Sequence, residues 1–110
     1  MQHINLDGLK IAYKTVGSGA PLVLLHGGLS DYRDWRPQLE GLSSRFSMTA
    51  WDALGCGRSD DPPATWEMEH WATALKYLLD HLEIENPHLL GLSWGSGLTL
   101  EFYRLFPDVP

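Results

Sequence analysis

The sequence has little of what a secreted, membrane-bound or nucleic-acid-binding protein needs. Its single cysteine, Cys56, cannot form an intrachain disulfide, which favours a reducing compartment. Eight scattered Lys and Arg residues stand against fourteen Asp and Glu, and the net charge of -6 argues against nucleic acid or an anionic membrane as a partner. No apolar run is long enough to cross a bilayer, and the first residues lack the basic and apolar regions of a signal peptide. We therefore expect a soluble, cytoplasmic protein.

The residues that are present suffice for one small domain. Of the 110 residues, 44% are hydrophobic and only 20% are charged, a balance that argues against wholesale disorder. No repeat, low-complexity tract or linker divides the chain. Short apolar runs alternate with helical patterns, and this order predicts an α/β fold in which an antiparallel hairpin leads into a parallel sheet with helices on both faces.

The individual elements are predicted from local patterns. The pair Asp7-Gly8 divides residues 4–16 into a hairpin. Apolar residues at three- and four-residue spacing, from Met68 to Leu82, predict the best-patterned helix, with Thr65 as its N-cap. The other predicted elements are strands over 22–25, 46–51 and 88–92 and helices over 31–42 and 98–106.

The most informative residues are 91–95, Gly-Leu-Ser-Trp-Gly, between the last predicted strand and the last predicted helix. They match Gly-x-Ser-x-Gly, the pattern of a nucleophile on a sharp strand-to-helix turn. Such a turn presses together the residues two before and two after the serine, so only small side chains fit there. A chance serine in a glycine-rich loop is the alternative, and the position between a strand and a helix disfavours it. The pattern predicts Ser93 as a nucleophile and the Trp94 backbone N–H as an oxyanion donor.

A second turn, His26-Gly27-Gly28, follows the buried strand about 65 residues before Ser93, where hydrolases with this motif carry their other oxyanion donor. Gly28, or its neighbour Leu29, is predicted to supply that N–H. Taken alone, the tripeptide is only a turn. Its interpretation depends on its position relative to Ser93.

A third glycine-rich stretch, residues 52–60, is interpreted as a structural turn. It fails the dinucleotide pattern Gly-x-Gly-x-x-Gly because Asp60 stands where the third glycine belongs, and the chain has no Gly-Lys-Ser/Thr phosphate loop. Cys56, within it, has no flanking histidine or cysteine and is predicted to be an inert thiol. No pair of residues has metal-ligand spacing, so we predict no metal and no cofactor.

Together, these three stretches resemble the α/β-hydrolase family, in its single-domain esterase, lactonase and aminopeptidase-like branch, over nearly the whole chain. The resemblance implies Ser93 as nucleophile, Gly28 and Trp94 as oxyanion donors, and a small-molecule acyl substrate. Asp-x-x-Gly-x-Gly-x-Ser, at residues 52–59, is a companion motif of the family, although Cys56 stands where histidine is common.

Two branches of the family fit less well. Members with an aspartate nucleophile, such as haloalkane dehalogenases, are disfavoured by Ser93. Proline iminopeptidases carry Gly-Gly-Pro-Gly at the oxyanion turn, whereas residues 27–30 here are Gly-Gly-Leu-Ser.

The resemblance also implies a catalytic acid and a histidine, which follow the serine along the chain in this fold. No histidine follows Ser93, and the only acids after it are Glu101 and Asp108. Family members are more than twice as long as this chain, so we expect residues 1–110 to be a partial domain that is inactive alone. Triads are recognised by geometry rather than order, which leaves the earlier histidines as candidate bases. These are His3, His26, His70, His81 and His88.

Two non-catalytic alternatives stay open. The chain could be a genuine short product that binds a hydrophobic small molecule or a partner, or a half-domain that completes its sheet with another chain. An unpaired last strand and an exposed apolar face on the last helix predict self-association.

Overall fold

A computed structural model describes residues 1–109. Its strands are β1 (Gln2–Leu6), β2 (Leu9–Val16), β3 (Ala20–Leu25), β4 (Phe46–Trp51) and β5 (His88–Gly91), and its helices are α1 (Arg36–Gly41), α2 (Met68–His81) and α3 (Trp94–Leu105). A 3-10 turn over Tyr32–Trp35 leads into α1. The strands form one sheet in the order β1-β2-β4-β3-β5. Pro110, the last residue of the predicted partial domain, lies outside the described residues.

The sheet has the predicted mixed character. β1 and β2 form an antiparallel hairpin around Asp7 and Gly8, whose positive φ angles of 49° and 86° suit a tight turn. β2 then pairs antiparallel with β4, while β3 runs parallel between β4 and β5. The predicted fold class, a hairpin leading into a parallel sheet, is confirmed.

Helices cover both faces of this sheet because its central strand is apolar on both sides. Val23 and Leu25 of β3 pack into the cluster that contains the buried faces of α2 and α3, while Leu24 packs with Trp35 and Leu39 on the opposite face. All three β3 side chains are fully buried. Burying a side chain of this size contributes about 1.5–3 kcal/mol, so β3 anchors both layers.

The predicted N-cap of the long helix is wrong. Thr65 lies in the preceding segment, where the Trp66 N–H donates to the carbonyl of Pro63, and the N-cap is Glu67. The His70 N–H donates to the Glu67 carbonyl at 2.9 Å, and His70 Nδ1 accepts the Glu67 N–H at 2.8 Å. This reciprocal pair satisfies two backbone donors at once, which a single threonine hydroxyl would not do.

Two other element bounds differ from the predicted ones. α3 begins at Trp94 rather than at Leu98. Gly95 and Gly97 look like loop residues, which is why the predicted helix started too late, but both lie within the first turns of α3. β3 begins at Ala20 and so includes Pro21, which was predicted to precede the strand. β5 starts opposite Leu22, so Pro21 lies where β3 is bordered on one side only, a position that tolerates proline.

β5 is the edge strand of the sheet, and apolar side chains beside it are exposed. Leu90 is 45% exposed on β5, and Leu100 and Tyr103 are 74% and 66% exposed on α3. The predicted open edge and apolar face are therefore present, while self-association stays a prediction. Within residues 1–109, no helix combines the length and the apolar character needed to cross a membrane.

Candidate active site

Ser93 lies at the junction of β5 and α3, one residue before the helix begins. Its backbone has φ 54° and ψ -113°, in the left-handed half of conformational space that non-glycine residues rarely occupy. Such a conformation costs about 1–3 kcal/mol and persists only where the surrounding structure imposes it. The turn leaves the Ser93 side chain exposed to solvent.

Gly91 and Gly95 permit this conformation because the chain leaves no space for a larger residue at either position. A Cβ on Gly91 would overlap the carbonyl oxygen of Gly95, and a Cβ on Gly95 would overlap the carbonyl oxygen of Leu25. The Leu92 N–H donates to that same Leu25 oxygen at 3.0 Å, which ties the turn to the end of β3. Both glycines are therefore required by close backbone contacts.

The second predicted turn lies directly beside the first. A Cβ built on Gly27 would lie 3.6 Å from Ser93 Cβ, and one on Gly28 would lie 3.5 Å from Trp94 Cβ. Leu29, the next residue, has φ 58° and is fully exposed. The structure thus brings Gly28 and Trp94 together next to Ser93. Their role as oxyanion donors remains a prediction.

His26 is buried beneath this turn, and both of its ring nitrogens are occupied. Nε2 accepts the Ala53 N–H at 2.9 Å, so the proton is on Nδ1, which donates to the carbonyl of Gly27 at 2.7 Å. The ring connects the ends of β3 and β4. It therefore supports the turn as a structural residue and is not free to act as a base.

Asp52 links the 3-10 turn that begins at Tyr32 to the loop that contains Arg58, a role that the sequence did not reveal. Its Oδ1 accepts the Tyr32 N–H at 2.8 Å, and its Oδ2 accepts the Arg58 N–H at 2.9 Å. The Ser59 hydroxyl donates to the carbonyl of Asp52 and accepts the Ala12 N–H at 2.8 Å. Residues 52–60 are thus a hydrogen-bonded structural turn, as their sequence indicated.

The environment of Cys56 agrees with an inert thiol. Burial raises the pKa of Cys56, and the Asp52 carboxylate raises it further. The raised pKa lowers the fraction of thiolate, which is the reactive form, at neutral pH.

The histidines have other partners than the serine. His70 caps α2 and stacks on Trp66 at 5.8 Å between ring centroids, while the His81 ring stacks on Tyr77 at 6.4 Å. His88 begins β5 and lies at the opposite end of that strand from the turn. In the part of the chain that the structure describes, no histidine is hydrogen-bonded to Ser93.

Three tryptophan rings lie in a row from the turn at Ser93 to the segment just before α2. The Trp94 indole meets Trp71 edge to face at 5.7 Å, and Trp71 meets Trp66 in the same way at 5.3 Å. The Trp71 Nε1–H donates to the carbonyl of Leu54 at 2.9 Å, which fixes the middle ring. These rings brace α2 against the start of α3.

Comparison with known proteins identifies the fold. A family model for the alpha/beta hydrolase fold matches residues 20–109. The chain belongs to the α/β hydrolase fold family. The predicted family is thereby confirmed.

Relatives in this family are hydrolases of several kinds. The chain is 33% identical over 97 residues to the soluble epoxide hydrolase of Corynebacterium sp. (strain C12). The matched region covers 88% of this chain and 34% of that protein. It is 39% identical over 103 residues to the proline iminopeptidase of Lactobacillus acidophilus, and this match covers 84% of this chain and 34% of that protein. A thermophilic esterase from Thermogutta terrifontis superposes with a TM-score of 0.92 at 30% identity, covering 99% of this chain and 43% of the esterase. The chain therefore spans about a third of the length of the curated α/β hydrolases it matches.

Proposed function

We propose that this chain carries the nucleophile and oxyanion donors of a serine hydrolase that acts on an ester, thioester, lactone or amide through an acyl-serine intermediate. The observation that carries the proposal is the backbone of Ser93, which adopts φ 54° between two glycines that cannot be enlarged. A strained, exposed serine at the start of a helix has no packing role, and strain of this kind is concentrated at functional sites.

In the proposed reaction, Ser93 Oγ forms a bond to the acyl carbon and the bond to the leaving alcohol, thiol or amine breaks. The Oγ proton passes through a histidine base to the leaving group, and a water molecule then releases the acid and restores the serine. The Gly28 and Trp94 N–H groups stabilise the negative oxygen of the tetrahedral state, each such donor being worth about 3 kcal/mol. In this fold the acid and the histidine follow the nucleophile along the chain.

The substrate class is proposed from the nucleophile and the oxyanion turn. Relatives are named as epoxide hydrolase, iminopeptidase and esterase, so the fold alone does not select among them. Ser93 favours acyl transfer, and Gly-Leu-Ser in place of the glycine-proline turn disfavours the iminopeptidase branch. A carboxylic ester is the substrate that we favour.

The decisive test is phosphonylation of Ser93 by an alkyl fluorophosphonate, read by mass spectrometry of the labelled peptides. No histidine follows Ser93 in this chain, so we expect slow labelling, but the two oxyanion donors, each worth about 3 kcal/mol, also stabilise the transition state of attack on phosphorus. We therefore expect Ser93 in the folded chain to label at least about tenfold faster than Ser44, an exposed serine outside the site that serves as internal control. Equal rates at the two serines, or an unchanged total rate in Ser93→Ala, would contradict the proposal.

An alternative function is a non-catalytic half-domain that binds a small molecule or completes its sheet with another chain. The exposed edge of β5 and the apolar side chains of Leu100 and Tyr103 favour it. The reading frame beyond the codon for Pro110 distinguishes the two functions. An open frame that encodes a later acid and histidine supports the hydrolase, whereas a native stop codon supports the half-domain.

We also propose a cytoplasmic location, with no nucleic-acid or membrane partner. The single cysteine and the net charge of -6 support this. Localisation of a fluorescent fusion would test it.

A further inference from the structure

One carboxylate contacts both ends of the turn that carries Gly28. Asp34 Oδ1 accepts the Ser30 hydroxyl at 2.6 Å, and Asp34 Oδ2 is 3.4 Å from the Gly27 nitrogen, whose N–H it accepts. Gly28 and Leu29 are the two residues between these anchors. Asp34 itself lies in the 3-10 turn over Tyr32–Trp35, where it forms none of the ion pairs seen in residues 1–109.

Without Asp34, few contacts would hold the segment from Gly27 to Ser30 in place. Leu29 is held at φ 58° with its side chain in solvent, so neither packing nor an intrinsic backbone preference stabilises its conformation. The His26 ring fixes the carbonyl of Gly27, and the Cys56 side chain lies within hydrogen-bonding reach of the Leu29 backbone, while Gly27 and Ser30 are the residues of 27–30 that donate to the Asp34 carboxylate. The direction of the Gly28 N–H therefore depends on both anchors.

Asp34 and Ser93 both lie close to Gly27. The position that a Cβ on Gly27 would take is 4.0 Å from Asp34 Oδ2 and 3.6 Å from Ser93 Cβ. The carboxylate thus reaches the turn from the side on which Ser93 lies. Any movement of Gly27 changes the spacing between Gly28 and Ser93 directly.

We propose that Asp34 is a positioning residue for the oxyanion turn: it holds Gly27 and Ser30 together so that the Gly28 N–H keeps its direction toward the acyl oxygen on Ser93. This inference rests on the proposed function. Asp34 touches neither the substrate nor the reacting atoms in this role, and it acts through Gly28. Its second partner, Ser30, is a positioning residue of the same kind.

The test uses the full 110-residue chain with Asp34→Ala, Asp34→Asn and Ser30→Ala, and with Glu40→Ala as the matched control. Glu40 is an exposed carboxylate on α1 that makes none of the side-chain hydrogen bonds or ion pairs seen in residues 1–109. Amide hydrogen exchange of Gly27 to Ser30 is measured by NMR, together with the rate at which an alkyl fluorophosphonate labels Ser93. The labelling rate is the readout that a merely structural contact would not change.

We expect Asp34→Ala to speed exchange at Gly28 and Leu29 about tenfold and to slow the labelling of Ser93 by a similar factor, in line with the loss of charge-assisted hydrogen bonds. Asp34→Asn, which keeps one acceptor oxygen, should fall between Asp34→Ala and the unchanged chain, and Glu40→Ala should match the unchanged chain. If Asp34→Ala does not fold, as judged by its melting temperature, Asp34→Asn and Ser30→Ala carry the same comparison.

The outcomes separate this inference from the function on which it rests. Labelling of Ser93 no faster than that of Ser44 in the unchanged chain would refute the proposed function, and with it a catalytic purpose for Asp34. Fast labelling of Ser93 that is the same in all Asp34 variants would overturn the inference alone, whether or not amide exchange changes.

Discussion

Gly95 offers the sharpest test of the backbone argument, because α3 contains its own control two residues later. In an ordinary helix, replacing glycine by alanine stabilises the protein by about 0.5–1 kcal/mol, since the unfolded chain loses freedom and the helix gains propensity. At Gly97 the new Cβ would meet only the flexible end of Met68, at 3.9 Å, so Gly97→Ala should show this gain. At Gly95 it would overlap the carbonyl oxygens of Leu25 and His26.

The cost at Gly95 can be bounded. Inserting a group into closely packed surroundings costs about 1–3 kcal/mol when neighbours must shift, and here the neighbours are backbone atoms of β3 rather than flexible side chains. A displaced turn would also weaken the hydrogen bond from the Leu92 N–H to Leu25, worth about 1 kcal/mol. After subtracting the helix gain, Gly95→Ala should destabilise the chain by about 1–3.5 kcal/mol.

The assay is urea denaturation of both variants followed by tryptophan fluorescence. The two glycine-to-alanine changes should shift the transition in opposite directions and differ by about 3 kcal/mol, a difference far larger than the error of such measurements. If Gly95→Ala were as stable as Gly97→Ala, the turn would have room for a side chain, and the steric account of Ser93 would be refuted.

Three further outcomes are expected. Ser93→Gly should stabilise the chain by about 1 kcal/mol in a thermal melt, because glycine accepts the positive φ at no steric cost. The same change should abolish phosphonylation at this position. An equal or lower stability would argue against backbone strain at Ser93. Because burial raises the pKa of Cys56, its thiol should react with iodoacetamide more slowly than a model thiol at pH 8. The rate should go on increasing as the pH rises above the usual thiol pKa. A rate equal to that of the model thiol would contradict this. Leu90→Lys and Leu100→Glu should lower the apparent mass in light scattering, and a monodisperse monomer before substitution would show that the β5 edge does not drive association.

The turn at Ser93 could be predicted from sequence because part of its physical cause is local. Two glycines at a spacing of two on either side of a serine describe one steric requirement, which Gly91 meets against Gly95 within the turn and Gly95 meets against Leu25 at the end of β3. The alternation of strands and helices predicted the layers in the same way, since the apolar run 22–25 already implied burial on both faces.

Other parts of the site depend on contacts between distant residues. Asp52 reaches Tyr32 across 20 positions, and Ser59 reaches Ala12 across 47, so neither partner is visible in a local pattern. Thr65 was a reasonable cap by residue type, but the proline-rich segment before α2 places Glu67 where the helix begins. The start of α3 was missed because Gly95 resembles a helix breaker, although it is there to let two backbones touch.

The series of edge-to-face indoles that starts at Trp94 has an optical consequence. Indole rings whose centroids are 5.3 and 5.7 Å apart are close enough for energy transfer between their excited states. Light absorbed by Trp66, near the start of α2, can therefore be emitted from Trp94, the indole that adjoins Ser93. A molecule that settles against Trp94 would change the surroundings of an emitting ring, so we expect the fluorescence of the chain to report it. The protein thus carries its own spectroscopic reporter of occupancy beside Ser93, and no label has to be attached.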